Sequence, residues 1–115
     1  MIQKKRNSEE TALVAEIMDY CDAHDIDYIR IHPVHLFTGS GGRVGFGKVR
    51  PSQKGAPDLI VFVDDRSIAC ECKSSDGELS GDQIRWRERW TSRGRGHIMP
   101  RTMAEFLKML EAVWH

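Results

Sequence analysis

The chain lacks any long hydrophobic run. No stretch of its 115 residues approaches the roughly 20 apolar residues that a membrane-spanning helix needs, and the basic residues 4–6 are followed by acids instead of a hydrophobic signal core. Cysteine is also scarce: Cys21, Cys70 and Cys72 are an odd number without zinc-like spacing, which excludes a disulfide scaffold and favours a reducing compartment. These absences predict a soluble cytoplasmic protein with no membrane partner.

The chain also has no net charge at pH 7. The 17 basic and 17 acidic residues balance, which at first weighs against a nucleic-acid partner. The charges are segregated, however. Seven acids and no Lys or Arg lie in residues 9–27, four bases and no acids lie in residues 43–54, and five arginines and one glutamate lie in residues 85–95. Because phosphate binding depends on the local field, this pattern predicts one acidic flank and one basic surface.

The apolar pattern predicts a single α/β domain over residues 1–115, with residues 1–7 as a flexible tail. The expected elements are a helix from Asn7 or Ser8 to Ala23, a strand over 28–32, a hairpin over 59–70, a helix over 80–93, a strand over 97–99 and a last helix. A capping box of Thr102 and Glu105 begins that last helix. The order is αβββαβα, and the last strand is expected to run parallel to the second hairpin strand because a helix separates them.

The strongest local signal is a β-hairpin between two short polar motifs. Two apolar runs, residues 59–63 and 67–70, lie on either side of Asp64-Asp65, which is typical of a tight turn. Cys70 and Cys72 alternate with the acid between them and are predicted to be core residues. The turn length decides which residues of the two strands face one another.

The register of this hairpin brings three ionisable side chains together. If the two-residue turn pairs Val63 with Arg66, counting outward places Asp58 directly across from Glu71. Opposed residues on antiparallel strands point to the same side with Cβ atoms ~5 Å apart, and Lys73 shares that side because the strand period is two. The sequence therefore predicts that two carboxylates and an amine converge on one face of the sheet.

Two adjacent carboxylates repel one another unless a cation lies between them or one of them takes up a proton. Mg²⁺ suits such a site, because it prefers oxygen ligands and keeps several waters, so that one or two carboxylates and a phosphate suffice. The metal acidifies a bound water and neutralises charge on a phosphodiester, and Lys73 can orient that water. The predicted cofactor is Mg²⁺, with Mn²⁺ as a substitute.

A family resemblance rests on these motifs. Gly55-Ala56-Pro57-Asp58, a spacer of twelve residues, Glu71-Cys72-Lys73 and a downstream Gln83 resemble the PD-(D/E)XK nuclease superfamily, and within it the small stand-alone VRR-NUC domains common in phage genomes. The resemblance covers residues 10–110 and implies a restriction-endonuclease-like αβββαβ core, with a mixed central sheet flanked by helices, plus a C-terminal helix. It also implies a homodimeric DNA endonuclease of a bacterial or phage-infected cell, suited to branched DNA such as Holliday junctions.

The resemblance implies a role for each matched residue. Asp58, Glu71 and the backbone carbonyl of Cys72 hold the metal, Lys73 positions or activates the water, and Gln83 supports the site by a hydrogen bond. A plainer interpretation is that Asp58 caps a strand while Glu71 and Lys73 form an exposed cross-strand pair without a catalytic role.

An acid of the first helix is a further candidate. Glu10 projects into the centre of an apolar stripe, whereas Glu9 and Glu16 lie roughly 100 to 120° away. The stripe is formed by Leu13, Val14, Ile17, Met18 and Cys21. The resemblance implies that a glutamate of this helix approaches the metal, so Glu10 is the predicted catalytic and metal-binding residue, with Glu9 and Glu16 as alternatives. The competing interpretation is a first-turn acid favoured by the helix dipole and by a capping box with Asn7.

Residues 36–54 are predicted to form a mobile, glycine-rich basic loop. The candidate DNA-binding residues of this loop and of the second helix are Arg43, Lys48, Arg50, Lys54, Arg85 and Arg87. The loop nearly matches a nucleotide P-loop, but Val49 replaces the metal-binding Ser or Thr and Pro51 stands where a helix must begin, so no nucleotide cofactor is expected. A solvated loop without DNA contacts is the alternative.

The predicted second helix also carries two tryptophans. Trp86 and Trp90 share a helix face with Gln83 and are interpreted as core or dimer contacts, with base stacking as the alternative.

A non-catalytic DNA-binding or assembly subunit on the same fold is the second candidate function, and the intact set of acids and lysine argues against it. A nucleotide-binding switch protein is a weaker third.

Overall fold

The computed structural model describes residues 2–31, 36–38, 44–46 and 53–114, with side chains over 8–31 and 53–113. The elements are α1 (Ile2–Ala23), β1 (Asp27–Arg30), β2 (Leu36–Thr38), β3 (Val44–Phe46), β4 (Leu59–Val63), β5 (Arg66–Cys70), α2 (Gly81–Thr91), β6 (Gly96–Ile98) and α3 (Met103–Trp114). A mixed four-stranded sheet has the order β1-β4-β5-β6, and β2 pairs with β3 separately. The predicted α/β class is confirmed.

Helix α1 begins earlier than predicted. It is helical from Ile2, so residues 2–7 of the predicted flexible tail belong to the helix. Residues 3–6 are Gln, Lys, Lys and Arg, which all have high helix propensity. Asn7 therefore lies inside the helix and does not cap it, and the capping-box interpretation of Glu10 is wrong. The helix ends where Asp25 adopts a left-handed φ of 56° and Ile26 N–H donates to the Cys21 carbonyl at 2.9 Å, a Schellman-type termination.

The segment predicted as a mobile loop contains regular structure. Within residues 36–54, β2 and β3 pair antiparallel, with Leu36 opposite Phe46 and Thr38 opposite Val44. Aromatic and β-branched residues favour strands, and here they outweigh the glycines that predicted a loop. Three of the predicted DNA-binding residues lie outside the described residues, namely Arg43, Lys48 and Arg50.

The hairpin has the predicted register. Val63 lies opposite Arg66 and Leu59 opposite Cys70, as the two-residue turn requires. Asp64 in that turn has a left-handed φ of 54°, which aspartate tolerates better than most residues. The parallel pairing of β5 with β6 is also confirmed, and α2 forms the crossover between them.

The core lies between the sheet and two helices. Apolar residues of α1, β4, β5, β6 and α3 form one buried cluster, which contains Cys70 and Cys72 as predicted. Phe106 of α3 and Ile17 of α1 are its largest fully buried side chains. Helix α2 instead packs against β6, outside this cluster. None of the described helices is long and apolar enough to cross a membrane.

Candidate metal centre

The two predicted carboxylates flank the last residue pair of the β4–β5 hairpin. Asp58 directly precedes β4 and Glu71 directly follows β5. Their backbones are tied to the outer strands, since Ile31 N–H donates to the Asp58 carbonyl and Glu71 N–H donates to the Ile98 carbonyl, each at 2.9 Å. The sheet thus holds both residues at one end.

The Asp58 carboxylate has contacts on both sides. Its Oδ2 accepts the backbone N–H of Cys72 at 2.8 Å, which ties it to the strand that carries the other acid. Its Oδ1 lies 3.7 Å from Arg30 Nη1, in an ion pair whose side chains are each about 30% exposed. Arg30 also donates to the Asp58 carbonyl at 3.3 Å. Arg30 was not predicted, and its only sequence signal is its place at the end of a strand.

The Glu71 carboxyl is buried and electrostatically perturbed. Glu71 is only 5% exposed. Burial, and secondarily the negative charge of Asp58, raise the pKa of Glu71 from 4.5 to about 8, while the Lys73 ammonium opposes the shift and Glu10 adds to it. In the absence of a cation, this shift favours the protonated form of Glu71.

Lys73 completes the predicted trio and is held by Gln83. Lys73 is only 8% exposed, with its Nζ 3.9 Å from Glu71 Oε2 and donating to Gln83 Oε1 at 2.9 Å. The same Gln83 oxygen accepts the Ser80 N–H, and Ser80 Oγ accepts the Gln83 N–H, in a complete capping box that begins α2. The plainer interpretation is wrong in expecting Glu71 and Lys73 to be exposed, because both are buried.

Gly55 allows the chain to reach this site. Its φ is +81°, and a Cβ added there would lie 2.2 Å from the Asp82 carbonyl oxygen in the first turn of α2. Only glycine can adopt this conformation at such close approach. The glycine before Pro57-Asp58 therefore has a local physical reason: the segment passes against the helix that also carries Gln83.

Two glutamates of α1 bind the segment that follows Lys73. Glu10 Oε2 accepts the Ser74 N–H at 3.2 Å, and Glu9 Oε2 accepts the Ser75 N–H at 2.9 Å. Glu16 is exposed. Glu10 and Glu9 thus both lie beside the segment that follows Lys73, and the contact of Glu9 was not predicted. A helical wheel gives only the direction of each side chain, and a long side chain about 100° from the stripe centre still reaches a neighbouring loop.

Arg101 fixes the same segment from the other side. Its Nη1 donates to the carbonyls of Ser74 and Gly77, each at 2.6 Å. Its backbone N–H donates to Glu105 Oε1 at 2.7 Å, while Glu105 N–H donates to Thr102 Oγ1 at 3.1 Å. The predicted capping box is thus half formed, because the Glu105 carboxylate accepts from Arg101 instead of Thr102. No sequence signal had indicated Arg101.

The described members of the predicted DNA-binding set do not form one cluster with the acids. Lys54 is exposed. Arg85 donates to Asp82 Oδ1 at 2.6 Å. Arg87 is half-buried near His97, whose pKa is lowered to about 4 by burial and then by the Arg87 charge. Arg85 and Arg87 lie on α2, and Lys54 directly precedes Gly55.

The donor set suits a hard cation. Among the described residues, no three His, Cys, Asp or Glu side chains lie close enough together to hold a metal ion. A metal at Asp58 and Glu71 must therefore take its other ligands from backbone, water or substrate oxygens, which Mg²⁺ accepts. The Cys70 thiol is unsuited as a ligand, because contact with Cys72 and burial raise its pKa well above its ordinary value.

Comparison with protein-family models, with curated proteins and with solved structures finds no match for this chain. The residues described above are therefore the basis for a function: an acidic pair, a buried lysine and a supporting glutamine at one end of a mixed sheet.

Proposed function

We propose that the protein is a divalent-metal-dependent endonuclease that hydrolyses phosphodiester bonds in DNA. The observation that carries the proposal is the burial of Glu71 and Lys73 beside Asp58. A buried acid and a buried amine are costly to fold unless they are paired. Carboxyl groups with strongly raised pKa values beside a second acid are concentrated at functional sites. An acidic pair with a lysine 3.9 Å away fits metal-assisted hydrolysis better than it fits a structural ion pair.

Asp58, Glu71 and the Cys72 carbonyl are the proposed metal ligands. The Cys72 N–H is directed at Asp58, and in an extended chain the carbonyl of a residue lies along the same edge as its N–H. Bound Mg²⁺, or Mn²⁺ in its place, supplies an acidified water and neutralises charge on the phosphodiester. A cation held here would favour the ionised form of Glu71, and its positive charge would offset the repulsion between the two acids. Glu10 as a further ligand stays a prediction.

The remaining residues of the site act on the substrate or on one another. Lys73 Nζ provides a positive charge that orients the attacking water and stabilises charge on the phosphate. Gln83 positions Lys73 through the 2.9 Å hydrogen bond. The partly exposed Arg30 guanidinium is a further donor for a phosphate oxygen next to Asp58. Glu9 and Arg101 hold residues 74–77 and are positioning residues, and Glu10 also accepts a hydrogen bond from Ser74.

The proposal extends to family membership. The strand order β1-β4-β5-β6, with α2 as the crossover into a parallel edge strand, supports the restriction-endonuclease-like arrangement of a PD-(D/E)XK nuclease of VRR-NUC type. On that basis the enzyme is a homodimer that prefers branched DNA such as Holliday junctions. The proposed DNA-contacting residues are Arg43, Lys48, Arg50, Lys54, Arg85 and Arg87.

The test is a cleavage assay on labelled linear, nicked, flapped and four-way DNA, with Mg²⁺, Mn²⁺ or EDTA. We expect cleavage with either metal, none in EDTA, and loss of cleavage in Asp58→Asn and Lys73→Ala. Asp65→Asn is the matched control, because Asp65 is an exposed acid at the opposite end of the same hairpin. Cleavage that persists in EDTA or in Asp58→Asn refutes the mechanism. Binding without cleavage on every substrate favours a non-catalytic DNA-binding or assembly subunit.

A further inference from the structure

Helix α2 carries two tryptophans that the proposed catalytic site does not use. Trp86 and Trp90 stack on one another, with ring centroids 5.0 Å apart and planes 21° from parallel. None of the eleven residues of α2, all of them described, is buried. Neither ring belongs to the hydrophobic core, so the interpretation of these rings as core contacts is wrong. Large aromatic side chains usually contribute by burial, which raises the question of what this pair binds.

The aromatic pair is held in place and borders a small cavity. Trp90 Nε1 donates to the Gly96 carbonyl at 2.6 Å, and the Arg95 guanidinium lies 4.8 Å from the Trp90 ring centroid. A cavity of about 190 Å³ beside the rings is lined by Trp86, Arg89, Trp90, Arg93 and Arg95. This volume is below the ~300–1,000 Å³ of sites for drug-sized ligands, and it suits one flat ring.

The charge around the cavity selects an anionic occupant. Residues 85–95 hold five arginines and one glutamate, and three of these arginines line the cavity. A two-fold dimer contact centred on this patch would place the arginines of one copy against those of the other. Like charges facing one another disfavour that contact. An aromatic anion satisfies both the rings and the arginines.

The aromatic pair lies on the same face of α2 as a residue of the proposed site. Gln83, which holds Lys73, lies three and seven residues before Trp86 and Trp90, so all three share one face of α2. At 1.5 Å per residue, the tryptophans are about 4.5 and 10 Å along the helix axis from Gln83. Stacked nucleotides of one strand are about 3.4 Å apart. A strand bound at the acids therefore reaches the rings within a few nucleotides.

We propose that Trp86 and Trp90, with the surrounding arginines, form a stacking site for an unpaired base of single-stranded DNA next to the cleavage site. The inference rests on the proposed nuclease function for the nature of the ligand. Base faces are available only in unpaired strands, where stacking on aromatic side chains and cation–π contacts from arginine give binding without sequence readout. The preferred substrate then contains unpaired nucleotides, as flaps and junction branch points do.

Binding alone tests this site. A fluorescein-labelled oligothymidylate and a blunt duplex of equal length are titrated with the protein in EDTA, with anisotropy for affinity and tryptophan emission for stacking. We expect the single strand to bind more tightly than the duplex and to quench the emission. Trp86→Ala weakens single-strand binding at least about fivefold, since stacking contributes ~1–3 kcal/mol per base, and Trp86→Phe restores much of it. Leu107→Ala, which removes an exposed apolar side chain of α3, leaves binding unchanged.

Several outcomes overturn the inference. One is equal affinity of Trp86→Ala and the wild type for the single strand. Another is quenching of the tryptophan emission by the duplex to the same extent as by the single strand. A change from dimer to monomer in Trp86→Ala, measured by sedimentation with DNA binding unaltered, assigns the surface to a second copy instead. Since EDTA prevents metal-dependent cleavage, stacking without any later cleavage in Mg²⁺ contradicts the nuclease proposal and leaves this site in place.

Discussion

Replacing Glu71 with glutamine is expected to stabilise the metal-free protein at alkaline pH. The pKa of Glu71 rises from 4.5 to about 8 on folding, so the folded state holds this proton more tightly than the unfolded state does. The stabilisation is complete below pH 4.5 and is lost as the pH rises through 8. At about 1.4 kcal/mol per pKa unit, the loss between pH 5 and pH 9 is about 4 kcal/mol. Glutamine cannot ionise and removes this dependence.

Urea unfolding in EDTA at several pH values measures the effect. The wild-type free energy of unfolding should fall from pH 5 to pH 9 by several kcal/mol more than that of Glu71→Gln. Glu78→Gln, a change of an exposed acid, should behave like the wild type. Addition of Mg²⁺ at pH 8 should raise the melting temperature of the wild type and not of Glu71→Gln, because a ligand that binds only the folded state stabilises it. Parallel pH profiles for the wild type and Glu71→Gln would refute the electrostatic account of the site.

Three further predictions concern the surroundings of the site. Gly55→Ala should lower the melting temperature much more than Gly94→Ala. Both glycines have positive φ, but a Cβ at Gly55 would meet the Asp82 carbonyl, whereas no described atom lies within 4 Å of a Cβ at Gly94. Similar losses of melting temperature in calorimetry would contradict the close approach at Gly55. The pKa of His97 is lowered to about 4, chiefly by burial, so stability is lost as the pH falls from 6.5 through 4. His97→Gln should flatten that acid limb in pH-dependent unfolding, and an unchanged limb would place the titration elsewhere. The three thiols, Cys21, Cys70 and Cys72, are all buried. A thiol reagent at pH 8 should therefore label no cysteine until urea unfolds the chain. Labelling of the native protein would disprove their burial.

The hairpin shows which part of the site is predictable from sequence. A two-residue turn sets the register, and a strand period of two sets the side. The pairing of β4 with β5 follows directly from the turn at Asp64-Asp65. That pairing in turn places Asp58 and Glu71 close to one another. Local rules suffice here because the two residues are close in sequence and connected by one regular element.

Contacts between distant segments were not predictable in the same way. Arg30 meets Asp58 across 28 residues of sequence, and Arg101 meets Ser74 across 27, with no periodic pattern linking either pair. Glu9 was ranked below Glu10 on the direction of its side chain, yet it also contacts the segment after Lys73. Residues 3–6 favour a helix by propensity but carry no apolar periodicity, so the early start of α1 was not predicted. The β2–β3 pair was not predicted because glycines surround its two short strands.

The central claim is that Asp58, Glu71 and Lys73 carry out metal-dependent hydrolysis of DNA. Single-turnover cleavage of a labelled four-way junction across a Mg²⁺ titration tests it most directly, with the wild type and Lys73→Met compared. The wild type should cleave only with metal. Lys73→Met should keep the Mg²⁺-induced rise in melting temperature while losing on the order of a hundredfold or more in cleavage rate, as expected for loss of a charge that stabilises the transition state. Metal-independent cleavage, or equal rates for both proteins, would contradict the claim.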